Sequence, residues 1–176
     1  MNISKKSIVD TNVPKTANKS LQPDRLTDKQ FIMCIINCID LIDQVIQKGG
    51  LVIDAGDEIF DEYRQQLSMS GQPGIGDRFM KWVHDNRWKF PDEDRVSITK
   101  QGVTYQEFPE HMDLKQFDYS DRKFIAIANK HLDKPPIYQA TDSKWFGWCN
   151  ALKECGIQVQ FLCTEYIKSL YMKKMK

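Results

Sequence analysis

The chain has 176 residues, 41% of them hydrophobic and 28% charged, with a formal net charge of +1. That length fits one domain, residues 1–176, able to bury most of its apolar surface, and the composition is ordinary for a soluble globular protein. The near-neutral balance excludes a global attraction to nucleic acid, so a binder of that kind needs a local basic patch. Candidates for such a patch are Arg64, Arg78, Lys81, Arg87, Lys89, Arg122 and Lys123. The simpler reading of each is solvated surface, where Lys and Arg mostly lie.

In chain order, Ser7 to Asp10 is a short strand candidate, and the polar stretch Thr11 to Asp24, with Pro14 and Pro23, reads as a loop over a site. Leu26 to Lys48 has the spacing of a long amphipathic helix, capped by Thr27 and stopped by Gly49-Gly50. Leu51 to Asp54 predicts a buried strand, Asp57 to Leu67 a helix, residues 70–76 a turn, and Asp77 to Asn86 a helix with Phe79, Met80 and Val83 inward. The segment from Trp88 to Glu110 is irregular, with a strand candidate at Arg95 to Thr99. Helices are expected at 120–131 and 143–155, strands at 137–141 and 157–162, and a C-terminal helix from Thr164 that ends in Lys173, Lys174 and Lys176. Short strands alternating with helices predict an α/β fold with a mostly parallel sheet.

The five cysteines (Cys34, Cys38, Cys149, Cys155, Cys163) form no CxxC pair and read as reduced thiols of a cytoplasmic protein. His84, His111 and His131 are isolated, so no zinc site is expected. Only Ile8-Val9 follows Lys5-Lys6, which is no secretory signal. The apolar run from Phe31 to Ile46 is broken by Asn37, Asp40, Asp43 and Gln44 and reads as a core helix rather than a membrane span.

Four acids stand beside apolar runs: Asp10, Glu62, Asp121 and Asp142. Asp10 and Asp142 follow strand candidates, which in an open α/β sheet puts them at the carboxyl edge where ligand sites gather. Each could instead be a turn-former or helix cap. Asp121 shares a helix face with Phe124, Ile125 and Ala128, where a carboxylate is costly unless paired, hydrogen-bonded or metal-bound. Asp118 is more simply a cap. Among Asp57, Glu58, Asp61 and Glu62, spacing alone ranks Glu58 and Glu62 nearly equal. A pocket of such carboxylates selects hard divalent cations, which can activate water for attack on phosphorus without a side-chain nucleophile. No Ser-His or Cys-His constellation, phosphate loop or dinucleotide fingerprint competes with this reading.

The order of these acids carries a resemblance. Ile8-Val9-Asp10-Thr11-Asn12, Ile59-Phe60-Asp61-Glu62-Tyr63, Ser120-Asp121-Arg122-Lys123-Phe124-Ile125-Ala126 and Ala140-Thr141-Asp142-Ser143-Lys144-Trp145 resemble, in turn, the four acidic motifs of PIN domains. The likeness spans about residues 7 to 162. It implies a three-layer α/β/α sandwich around a mostly parallel sheet and a Mg²⁺- or Mn²⁺-dependent endoribonuclease acting on single-stranded RNA. It also implies metal ligands at Asp10, Asp121 and Asp142, with Glu62 as ligand or water-orienting group. Asn12 and Thr141 would support the site by hydrogen bonds. Toxins of toxin–antitoxin pairs belong to this family, so an antitoxin or another protein partner, or self-association, is a further expectation. The chain departs from the family at Lys144, where many members carry a further acid; the loss implies either a weakened second metal, with one ion held firmly and a second only with substrate, or a phosphate contact by Lys144. The Trp88 to Glu110 insert is longer than in compact toxin members.

Two other readings stand beside the nuclease. One is a PIN-like module that binds RNA or protein without cutting. The other is a phosphatase of the haloacid-dehalogenase type, for which Asn12 replaces the second Asp of the DxD opening. The aromatic residues Trp82, Trp88, Trp145, Phe146 and Trp148 are either stacking platforms for bases or core packing.

Overall fold

A computed structural model describes residues 3–22 and 28–174. The elements in chain order are β1 (Ile8–Val9), α1 (Asn12–Ala17), α2 (Lys29–Lys48), β2 (Ile53–Asp54), α3 (Glu58–Gln66), α4 (Ile75–Asn86), β3 (Arg95–Val96), β4 (Lys100–Gln101), β5 (Thr104–Tyr105), α5 (Arg122–Lys130), β6 (Ile137–Gln139), α6 (Lys144–Glu154), β7 (Val159–Phe161) and α7 (Thr164–Lys174). The fold is therefore mixed α/β, with a small parallel sheet.

In that sheet β6 lies between β1 and β7, parallel to both, with Val9 opposite Tyr138 and Ile137 opposite Val159. A second parallel pair, β2 with β3, sets Ile53 against Arg95. An isolated parallel bridge between Ser7 and Leu51 links the two, carried by Ser7 N–H to Gly50 O and Val52 N–H to Ser7 O, each 2.8 Å. Gly50 makes this approach possible: its φ is +79°, and a Cβ there would sit 2.0 Å from the Lys5 carbonyl oxygen. Ile8, Val9, Ile53, Ile137 and Tyr138 are essentially buried, as strands covered on both faces must be.

Every expected strand and helix has a counterpart, with strands shorter than the apolar runs that announce them. Arg95 to Thr99 contracts to Arg95–Val96, and the irregular segment after it makes the hairpin β4–β5 around Gly102. The expected loop after Asp10 is instead α1 and a 3₁₀ turn over Asn18–Leu21. Pro14 lies in the first turn of α1, where a missing N–H costs nothing, and Val13, Pro14, Thr16 and Ala17 are buried. Gly76 allows α4 to press on α1, since a Cβ there would lie 2.1 Å from Pro14 O. Pro23, Asp24, Leu26, Thr27 and Lys176 lie outside the described residues. Asp28 caps α2, accepting from the backbone N–H groups of Gln30 and Phe31.

The helix α2 is long and apolar enough to cross a membrane by length and composition, more so than its interrupting polar residues suggest. In the fold, its face of Cys34, Ile35, Cys38, Leu41, Ile42 and Val45 is buried, and it packs on α1, α4 and α7.

The cysteine reading needs correction. Cys34 and Cys163 form a disulfide that ties α2 to the start of α7, so not all five are thiols. Cys38, one helical turn from Cys34, is a buried free thiol within 4.8 Å of both disulfide sulfurs. Spacing could not show this, because the bridge spans 129 residues. The cytoplasmic expectation loses the support it drew from uniformly reduced thiols.

Candidate metal and nucleic-acid site

Three of the four expected acids meet. Asp10, Glu62 and Asp121 line one open cavity of about 530 Å³, with Thr11, Asn12, Lys15, Glu58, Ser120 and Lys123 among its other walls.

Each acid is placed by its own element. Asp10 follows β1 at the carboxyl edge of the sheet, its N–H bonded to Tyr138 O at 3.0 Å. Its Oδ1 accepts the Asn12 N–H at 2.8 Å, which starts α1. Glu62 is carried by α3, which two contacts fix against the strands. The buried Asp54 at the end of β2 accepts the Glu58 and Ile59 N–H groups at 2.7 and 2.8 Å, capping the helix with an anion at its positive end. The hydroxyl of buried Tyr63 donates to Val9 O, immediately before Asp10. Asp121 sits at the start of α5, whose Phe124, Ile125, Ile127 and Ala128 are buried. Its Oδ2 accepts the Trp145 indole N–H at 2.9 Å and its Oδ1 accepts the Ser120 hydroxyl at 3.1 Å.

The electrostatics show how close the acids are. The Asp10 carboxyl, 2% exposed, is pushed up to about 8, first by burial and then by the Asp121 charge. The Asn12 N–H opposes this and Glu62 adds to it. Asp121 is also raised, chiefly by burial, against the stabilising indole bond. Glu62 thus separates from Glu58, which spacing had ranked its equal. Glu62 acts on Asp10, whereas Glu58, on the same cavity wall, reaches Lys100 at 3.4 Å; the Tyr105 hydroxyl is raised first by burial and then by Glu58, with a smaller part from Glu62.

Asp142, Thr141 and Lys144 are not among the residues lining this cavity. Asp142 follows β6, half-buried, and its Oδ1 accepts the Lys144 N–H at 2.9 Å at the start of α6, the capping role open to it from sequence. Thr141 lines a neighbouring cleft with Asn12 and Lys15. Lys144 reaches Asp118 at 3.5 Å; Asp118 caps the turn before α5 through Ser120, as expected, and Ser120 in turn bonds Asp121.

The structure adds residues that the motifs did not single out. Lys123 Nζ lies 2.5 Å from Glu62 Oε2. Thr11 Oγ1 is buried at the cavity wall with no hydrogen-bond partner. Trp145 is fully buried and holds Asp121, so it is no base platform; of the five aromatics considered, only Trp88 is exposed. The readings of Arg87, Arg122 and Lys123 as solvated surface also fail, since all three are buried. Arg87 stacks on Phe60 and bonds His84 O, and Arg122 bonds the Phe117 and Lys115 carbonyls over Phe108. Planar guanidinium groups can be buried in this way when stacked and fully bonded. None of the three histidines lines the acidic cavity.

Comparison with known proteins finds no matching family model, no matching curated protein and no matching solved structure.

Proposed function

We propose that this chain is a metal-dependent endoribonuclease of the PIN class that hydrolyses phosphodiester bonds in single-stranded RNA. The observation that carries the reading is the convergence of Asp10, Glu62 and Asp121, from three distant segments, on one cavity at the carboxyl edge of a parallel sheet. The Ser7–Leu51 bridge supports a strand order β3-β2-β1-β6-β7, and with it the three-layer α/β/α arrangement that the resemblance implies.

The residues fit a hard divalent ion, Mg²⁺ or Mn²⁺. Crowded, desolvated carboxylates need a cation, and the orphaned Thr11 hydroxyl gives a bound water or a substrate oxygen a partner. Asp10 and Asp121 would hold the ion, with Asp142 reaching it only if its carboxylate leaves the α6 terminus. A divalent ion there supplies activation of water and neutralisation of charge building at phosphorus. Asn12 and Trp145 fix the two carboxylates, Glu62 orients the attacking water, and exposed Lys15 draws the phosphate backbone to the rim. A role as a toxin or defence effector, with a protein partner that blocks the cavity, fits such an activity.

The test is incubation of the full chain with a labelled single-stranded RNA in Mn²⁺, in Mg²⁺ and in EDTA. Internal cleavage that needs the metal is expected. Cleavage that persists in EDTA contradicts the proposal. Retention of RNA without cleavage under all three conditions favours the non-catalytic module.

A further inference from the structure

Lys123 is in the wrong place for an ordinary lysine. It sits in the first turn of α5, where the helix dipole disfavours a cation, and its side chain is only 8% exposed. Burying an ammonium costs several kcal/mol unless it is well paired. Its ammonium lies 5.2 Å from the Phe124 ring centroid and faces the cavity, donating to Ser120 O and to Glu62 Oε2 at 2.5 Å. Ser120 and Glu62 are both cavity walls. The ammonium is therefore held by the site and not by its own helix.

We propose that Lys123 is a built-in cation of this pocket: it positions Glu62 and limits the site to a single divalent ion. This rests on the nuclease reading above. The charges support it. Five carboxylates and two lysines line the cavity, of which Glu58, Asp61 and Lys15 are the more exposed; in the inner group, ionised Asp10, Glu62 and Asp121 carry three negative charges, Lys123 cancels one, and the remaining two match one divalent ion. Glu62 is then a water-orienting group locked by an ion pair, with its Oε2 committed to the lysine. Asp10 and Asp121 are the inner carboxylates left to bind metal, with Glu58 and Asp61 more exposed.

The test is Mn²⁺ titration of the full chain at pH 8, with free Mn²⁺ read by its electron paramagnetic resonance signal and folding checked by thermal melting. One Mn²⁺ per chain is expected. Lys123→Met, which keeps the stem and removes the charge, is expected to tighten the first ion by about tenfold or admit a second, a coupling typical of directly paired groups. Glu62→Gln alone leaves the ammonium unpaired and should weaken Mn²⁺ by about the same factor. The double variant Glu62→Gln/Lys123→Met removes both charges and should return to within about threefold of the original affinity. If the double variant stays as weak as Glu62→Gln, Glu62 is a metal ligand and the proposal fails, although the nuclease reading survives. Absence of Mn²⁺ binding by the unmodified chain overturns both. The double variant keeps the test open if Lys123→Met alone does not fold.

Discussion

Replacing Asp10 by Asn is expected to abolish cleavage and, in the same protein, to stabilise the metal-free fold at pH 8. Both effects have one cause. Asp10 is 2% exposed and faces Asp121 and Glu62 across the cavity, so its carboxyl is raised from 3.8 to about 8. A group with a raised folded value holds a proton that the unfolded chain releases, and so the folded state loses stability as pH climbs from about 4 to about 8. The slope reaches at most about 1.4 kcal/mol per pH unit. An amide of the same shape has no proton to lose and escapes this penalty. It still offers an oxygen to the Asn12 N–H, which the carboxylate accepts at 2.8 Å. Urea melts with chelator present should therefore put Asp10→Asn above the unmodified chain at pH 8, by a margin that grows by up to about 1.4 kcal/mol per pH unit between pH 4 and pH 8. At pH 4 the two should be nearly equal. The loss of cleavage should be at least about a hundredfold, because the ion that would neutralise charge at phosphorus loses a ligand. Parallel pH slopes for the two proteins would show that Asp10 is not held at a raised value.

The second large effect concerns metal affinity. Binding a divalent ion at Asp10 requires that carboxyl to be ionised, so below about 8 each ion bound must expel a proton. Apparent Mn²⁺ affinity should fall by about tenfold for each pH unit below 8 and level off above it. Calorimetry at pH 7 in buffers of different ionisation enthalpy should show release approaching one proton per ion. A divalent ion should also flatten the pH slope of stability, since it neutralises the charge that burial penalises. An affinity constant between pH 6 and 8 would mean that the ion sits away from Asp10.

Much of this was legible in the sequence because the signals were local. The Phe124–Ile125–Ala128 face placed Asp121 on a buried helix start, and Ile8-Val9 announced a buried strand ending at Asp10. What escaped depended on contacts distant in the chain. The Tyr63 bond to Val9 O, which brings α3 to β1, spans 54 positions, and the Lys123–Glu62 pair spans 61. The Thr11 to Asp24 stretch read as loop because Pro and polar residues dominate it. Tertiary burial of Val13 and Ala17 made its first part a helix all the same. Trp145 shows the same limit. Its place after the fourth acid was visible, but the indole bond to Asp121 joins two separate helices.

The central claim is that one divalent ion binds between the segments carrying Asp10 and Asp121. Amide signals followed by NMR as Mn²⁺ is added in substoichiometric steps test it most directly. The amides of Thr11, Asn12, Ser120 and Lys123, which line the cavity, should broaden first and together, and Asp10→Asn should remove the effect. Broadening that begins elsewhere, such as at the exposed Asp92–Glu93 turn, or that survives the substitution, would contradict the account.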